Sequence, residues 1–359
     1  MKIGILTFHR AYNFGAFLQA YALKSFLEQN GNDVSFIDYW PYGHENMYNS
    51  RENGGIKTFV RNLLVLKNRL PRYIRFRKAQ RKYLGIASKP MFRTGEQLET
   101  VEYDVVIYGS DQIWWKSKIM DNKFDQVYWG QYIRNNVKKI AYAASMGIIN
   151  LTENDKLEIA NYLKSFSDIF VRETQLMNVL QPMTEKPIRT VLDPTLLLPA
   201  SFWEAFCSRQ KKVNGKYIFY YKMLGDPKAD IFAREIGRIH KLPVITVLGN
   251  INTYKANRIS SLTDPARFTA LIRDAEYVVS TSFHGVAMSI QFKKEFYAMG
   301  MKNNTDRVLS LLSQLGLENR LTDVVPNDFS EKIDYSEVYS RLLSLRQESA
   351  ECLISSIRL

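Results

Sequence analysis

The chain reads as an α/β protein of two doubly wound parallel sheets facing across a cleft, and three observations predict this. Short apolar runs of strand length alternate with helical periodicity along nearly the whole sequence. The alternation pauses once, at "SFWEAFCSRQKKVNG" (201–215), which reads as a short helix and a polar linker, and then resumes. With 359 residues the chain can bury two cores, which places one domain at 1–200 and a second at 201–359.

The elements follow in order. "KIGILTF" is a short buried-type strand, then comes the loop "HRAYNFGA" and the helix "FLQAYALKSFLEQNG", closed by Gly31. "DVSFIDY" completes a strand–helix–strand opening. A basic helical insertion occupies about 45–100. "YDVVIYGSDQIWW" and "KKIAYAAS" are strands that run into small polar residues. "TENDKLEIANYLKSF" is a helix opened by Thr152 and Asp155 in capping-box spacing. "DIFVRE" is a strand with Arg172 at its carboxyl end, "TQLMNVLQ" a helix, and "IRTVLDPTLLLP" ends the half. In the second half "KYIFYYKM", "LPVITVLG", "EYVVSTS" and "EFYAMG" are strands. The helices are "DPKADIFAREIGRIHK", "DPARFTALIRDA", "GVAMSIQF" and "TDRVLSLLSQLG", with a long amphipathic one from Ser336 to the end.

Hydrophobic residues at 46% and charged ones at 24% are ordinary for a globular protein. Cys207 and Cys352 form neither a disulfide framework nor a metal-ligand spacing, and no signal peptide or 18-residue apolar run is present. A cytoplasmic location is therefore expected. The net charge of +13 is concentrated: from Asn53 to Gly95 there are twelve Lys and Arg and no Asp or Glu. Within that segment "IKTFVRNLLVLKNRL" spaces Ile56, Phe59, Val60, Leu63, Leu64 and Leu70 near helical periodicity, with cations between them. Such a helix suits an anionic membrane surface at the inner face of the membrane; a solvated basic face is the alternative. Nucleic acid is the less favoured partner, because the cations sit in an insertion beside an enzyme-like scaffold.

Open parallel sheets bind ligands beyond the carboxyl ends of their strands. The polar residues there are Asn13 with Gly15, Ser110 and Asp111 after Gly109, Ser145, Arg172, Thr281 with Ser282, and His284, followed by Gly285. Gly285 allows a tight turn into a helix whose first amides suit an anion. Against each stands an ordinary structural role: a capped helix for His284, a surface ion pair of Arg172 with Glu173, a closed turn for Asp111, core packing for Trp114 and Trp115. Other chemistries are excluded by pattern. No G-x-G-x-x-G follows the first strand, and no phosphate-binding G-x-x-x-x-G-K-[ST], metal-binding H-x-x-x-H or C-x-x-C, or G-x-S-x-G occurs.

The pieces "NFGAFLQAYAL" (13–23), "YGSDQIW" (108–114), "AYAAS" (141–145), "VRE" (171–173), "LDPTLLL" (192–198) and "STSFHGVAMSI" (280–290) stand in a familiar order. Through them the chain resembles the polysaccharide pyruvyl transferase family, in its bacterial surface-polysaccharide branch. The resemblance implies two Rossmann-like halves similar to the GT-B glycosyltransferase fold. It implies phosphoenolpyruvate as donor substrate, a sugar diol of a surface polysaccharide or its lipid-linked precursor as acceptor, and a cyclic ketal as product, with no metal or redox cofactor. Donor binding carries over to Arg172 and His284. The chain departs from the family in having Ser282 where better-studied branches have a second arginine, Thr281 for an aspartate and Val286 for a threonine.

On this reading His284 moves the proton, since an imidazole with a pKa of about 6.5 both gives and takes protons near neutrality. Arg172 takes the donor's carboxylate or phosphate, and Thr281, Ser282 and the amides near Gly285 take the other group. Asp111, the second catalytic residue, positions or deprotonates the acceptor hydroxyl, Trp114 stacks on a sugar face, and Asn13, Gly15 and Ser110 complete the substrate-binding set. Two alternatives remain: a GT-B-type glycosyltransferase using a nucleotide sugar, and a non-catalytic glycan-binding paralogue.

Overall fold

The structure, a computed structural model, describes residues 1–49, 71, 73–116, 122–222, 226–247, 257–258, 263–300, 305–326, 329 and 331–358. Two sheets organise them, and every strand pairing is parallel. The first contains β1 (Lys2–Leu6), β2 (Asp33–Phe36), β3 (Val105–Tyr108), β4 (Lys138–Ala144), β5 (Asp168–Val171) and β6 (Ile188–Thr190), in the spatial order β2-β1-β3-β4-β5-β6. The second contains β7 (Ile218–Tyr221), β8 (Val244–Thr246), β9 (Asn257–Arg258), β10 (Tyr277–Ser280) and β11 (Glu295–Ala298), in the order β11-β10-β7-β8-β9. The two doubly wound sheets expected from the alternation are present. The two-residue strand β9 is additional; it carries no apolar run that could announce it.

Central strands β3, β7 and β10 are buried along their whole length, which is why they read as unbroken apolar runs rather than alternating ones. In each sheet the winding direction reverses once, between β1 and β3 in the first and between β7 and β10 in the second. Helices leave to opposite faces at such a point, opening a crevice beyond the carboxyl ends of the two strands.

Helix ends obey local chemistry. Asn13 caps the first helix (Phe14–Gln29), its side chain accepting from Ala16 N at 3.1 Å, and Gly31 follows the helix at φ +81°. Thr152 and Asp155 form the expected capping box of the helix Glu153–Leu163. The helix near Gly285 starts earlier than its sequence suggests, running Phe283–Gln291 with Ser282 as N-cap. Gly285 is therefore helical rather than a turn residue. A Cβ at this position would lie 2.2 Å from Ser280 Oγ, so the glycine serves close packing of helix on strand.

By packing the chain separates into two units, Met1–Ser50, Gln80–Leu197 and Leu343–Leu359 in one, Arg51–Ala79 and Leu198–Leu342 in the other. The units divide at 197/198, and the end of the long C-terminal helix (Tyr335–Ile357) is grouped with the first unit. Ser349 Oγ accepts from Leu192 N at 2.9 Å and Arg346 Nε donates to Leu196 O at 2.7 Å, contacts that no local pattern encodes. Of the basic insertion, residues 50–70 and 72 lie outside the described residues, and with them the expected amphipathic stretch 56–70.

Candidate active site

In the first unit the polar residues converge at the ends of β3, β4, β5 and β6. After β3 the chain passes through Gly109 at φ +127°, where a Cβ would sit 2.1 Å from the carbonyl oxygen of Tyr142, so only glycine fits. Ser110 follows, fully buried; its carbonyl accepts from Thr7 Oγ1 at 2.8 Å and its hydroxyl donates to Asp193 Oδ2 at 2.8 Å. Asp111 adopts φ +83° and is partly exposed, its carboxylate accepting from Gln112 N at 2.9 Å. Ser145, at the end of β4, donates its amide to Asp111 O at 3.0 Å.

Arg172, one residue beyond β5, is 3% exposed. Its Nη1 donates to Asp193 Oδ2 at 2.8 Å and its Nε to Glu173 Oε1 at 3.1 Å. Asp193 is itself buried, and its second oxygen accepts from Thr195 N at 3.0 Å and Thr195 Oγ1 at 2.7 Å. Burial opposes the charge on Arg172, but the carboxylates of Glu173, Asp193 and Asp111 more than offset it, and the guanidinium is held above its ordinary pKa. The pair with Glu173 weighed in the sequence thus exists, but as a buried ion pair rather than a surface one. Glu173 Oε2 and Ser145 Oγ are buried without a hydrogen-bond partner among the described residues.

In the second unit the switch point brings together the ends of β7 and β10. Tyr221 pairs with Ser280, and Thr281 N donates to Tyr221 O at 3.1 Å. Ser282 N donates to Ser280 Oγ at 3.1 Å, which fixes the strand-to-helix corner. His284 is the second residue of the helix Phe283–Gln291, 5% exposed, and edge-on to the Phe283 ring at 5.3 Å. Hydroxyls, an imidazole and helix N-terminal amides therefore meet at one corner, a combination suited to an anion and to proton transfer. Lys222, the residue after β7, is 4% exposed and pairs with Asp230, which also accepts from Tyr220 OH at 2.8 Å.

The predicted residues thus fall into two groups: Ser110, Asp111 and Arg172 at the first sheet's strand ends, and Thr281, Ser282, His284 and Gly285 at the second's. Asn13 and Gly15 open the first helix, where Asn13 acts as its cap. Trp114 is a correction. It is fully buried, stacked on Trp129 at 4.4 Å and 9°, and its Nε1 donates to Tyr128 O at 2.9 Å. Its faces belong to the core and are not open to a sugar. Sequence reasoning passed over Asp193 and Lys222 as site residues. Asp193 stands in the quoted "LDPTLLL", and an aspartate before proline just past a strand is a signal that could have marked it; Lys222 ends an apolar strand as its first charge. No cluster of His, Cys, Asp and Glu suited to a metal ion occurs among the described residues.

Fold and site define the class, a protein of two doubly wound α/β sheets with its ionisable and hydroxyl side chains gathered beyond the carboxyl ends of the strands. The chain belongs to the polysaccharide pyruvyl transferase family, whose family model matches residues 13–303, and it is accordingly a transferase. No curated protein matches it. Among solved structures it is similar to UDP-N-acetylglucosamine 2-epimerase from Rickettsia bellii, with 8% identity, 99% of this chain and 96% of that one covered, and a TM-score of 0.50. It is also similar to E. coli ADP-heptose LPS heptosyltransferase II, at 13% identity, with coverage of 97% and 99% and a TM-score of 0.35. At these identities the likeness concerns the fold alone.

Proposed function

We propose that the enzyme transfers the pyruvyl group of phosphoenolpyruvate to two hydroxyls of a sugar in a surface polysaccharide or its lipid-linked precursor, forming a cyclic ketal. The observation that carries this reading is the corner at β10, where His284 stands in the first turn of a helix beside Thr281 and Ser282 within a matched family segment. The donor carries a carboxylate and a phosphate, and the amides and hydroxyls of this corner suit either group. Arg172, which the family resemblance gives to the donor, acts while paired to Glu173 and Asp193.

The reaction balances without a further reactant. One sugar hydroxyl bonds through oxygen to the central carbon of the donor while the methylene carbon gains a proton and becomes a methyl group. The second hydroxyl then bonds to the same carbon as the bond to phosphate oxygen breaks, and its proton leaves with phosphate. His284 delivers the proton to the methylene carbon and is recharged from a sugar hydroxyl; Asp111 orients the acceptor.

Calorimetric titration of phosphoenolpyruvate into wild type, Arg172→Ala and His284→Ala tests the donor without needing an acceptor. Wild type is expected to bind and Arg172→Ala to lose binding. Phosphate release with an extracted lipid-linked glycan should fall at least about 10²-fold in His284→Ala. A thermal shift with a nucleotide sugar and none with phosphoenolpyruvate would replace this reading with glycosyl transfer. Glycan binding without phosphate release from any donor would make the chain a binding paralogue.

A further inference from the structure

The helix that leads out of the basic segment is two-sided. Over residues 73–84 it buries Phe76, Ala79, Gln80 and Leu84. Ile74, Lys78, Arg81 and Lys82, spaced to share one face, are exposed, as is Tyr73 at the start. None of Arg75, Arg77, Lys78, Arg81, Lys82 and Lys89 forms an ion pair with a carboxylate among the described residues; Arg81 donates to Ser88 Oγ, and Lys82 Nζ lies over the Tyr83 ring at 4.7 Å. The reason is compositional, since no Asp or Glu occurs from Asn53 to Gly95. Two further large apolar side chains, Tyr42 and Met91, are 66% and 70% exposed near cations, Arg93 lying over the Tyr42 ring at 4.4 Å.

This segment is also anchored. Gln80 Nε2 donates to His9 O at 3.0 Å. Arg10 Nη2 donates to Ala87 O at 3.1 Å and Lys89 O at 2.9 Å, and the same guanidinium is paired with buried Asp38. Asp38 O in turn accepts from Met91 N at 3.1 Å and Phe92 N at 3.0 Å. A loose basic tail would need none of these buried bonds; here residues 80–92 are held by a buried ionic hub at the ends of β1 and β2.

We propose that the outward face of the helix 73–84, with Lys78, Arg81 and Lys82 at its centre, docks the enzyme on an anionic phospholipid surface. Ammonium and guanidinium groups with no carboxylate beside them among the described residues meet lipid phosphates there, while Tyr73 and Ile74 enter the headgroup boundary. Charge complementarity selects the partner: a face with three exposed cations, in a segment that holds no Asp or Glu from Asn53 to Gly95, is repelled by basic surfaces and gains nothing from neutral ones.

The test is co-sedimentation of the full chain with vesicles of phosphatidylglycerol and phosphatidylethanolamine, against phosphatidylcholine vesicles, in low salt and in 0.5 M salt. Each neutralised Lys or Arg is worth about 1 kcal/mol at such a surface, so Lys78→Gln/Arg81→Gln/Lys82→Gln should partition on the order of 100-fold less, with an unchanged melting temperature. Wild-type binding to anionic vesicles that is lost in 0.5 M salt is the second expected result, and it does not depend on the variant. The proposal is overturned if wild type stays in the supernatant, if phosphatidylcholine vesicles hold it equally, or if the variant binds as wild type does. Tighter binding to a single-stranded polynucleotide than to the vesicles would overturn it as well.

Discussion

Asp193→Ala should be among the most destabilising substitutions in the first unit, and the structure says why. Arg172 Nη1, Ser110 Oγ, Thr195 N and Thr195 Oγ1 all donate to this buried carboxylate. Removing it takes from the guanidinium of Arg172, 3% exposed, the carboxylate held at 2.8 Å and leaves it paired with Glu173 at 3.1 Å. Breaking one side of a buried ion pair costs about 3–5 kcal/mol, because the surviving charge stays desolvated. In a unit of this size each kcal/mol moves the midpoint by roughly 2–4 °C, so a fall of about 6–20 °C is expected in a thermal melt followed by circular dichroism. Much of the loss is desolvation rather than lost attraction, so the double variant Arg172→Met/Asp193→Leu should regain most of the stability while remaining inactive. A drop below about 2 °C in Asp193→Ala would refute the reasoning, and so would a double variant with the sum of the single losses.

Two further outcomes follow from the same geometry. Burial pushes the Asp125 carboxyl up to about 6, against the lowering effect of hydrogen bonds from Val127 N and the Tyr39 hydroxyl. The folded state therefore holds this proton more tightly than the unfolded one. Its contribution is fully present below about pH 4 and is lost as pH rises through about 6, by up to about 3 kcal/mol. Asp125→Asn should gain on wild type over that window in urea midpoints. His44, pushed down to about 4 by burial among Phe8, Trp40 and Tyr128, slopes the other way, losing stability as pH falls from 6.5. It is common to both proteins and cancels in the difference, so two parallel curves would refute the assignment to Asp125. Trp114→Ala should cost about 3–5 kcal/mol in urea unfolding, as a core cavity does, and Trp114→Phe markedly less. An unchanged midpoint with lost glycan binding would return Trp114 to the site.

The sequence by itself determined the alternation of elements, because buried parallel strands need unbroken apolar runs and helices need their 3.6 period and caps, and all of these are local. "YVVS" and "VVIY" are legible as strands, and Asn13, Gly31 and Thr152 with Asp155 as helix punctuation, for that reason. It also marked most of the strand-end residues, since polar side chains that interrupt an apolar run at its carboxyl end stand out without any knowledge of neighbours. Partnership was not legible. Asp193 reaches Ser110, 83 positions away, and Arg172, 21 away, and Trp114 meets Trp129 face to face. Such contacts depend on strand order and register, which create the switch points between β1 and β3 and between β7 and β10. Gly285 shows the limit most plainly: its sequence suggests a turn, and only the distance to Ser280 reveals a helix packed too close for any side chain. Local chemistry chooses the elements, while the order in which they are laid side by side decides which charges are neighbours.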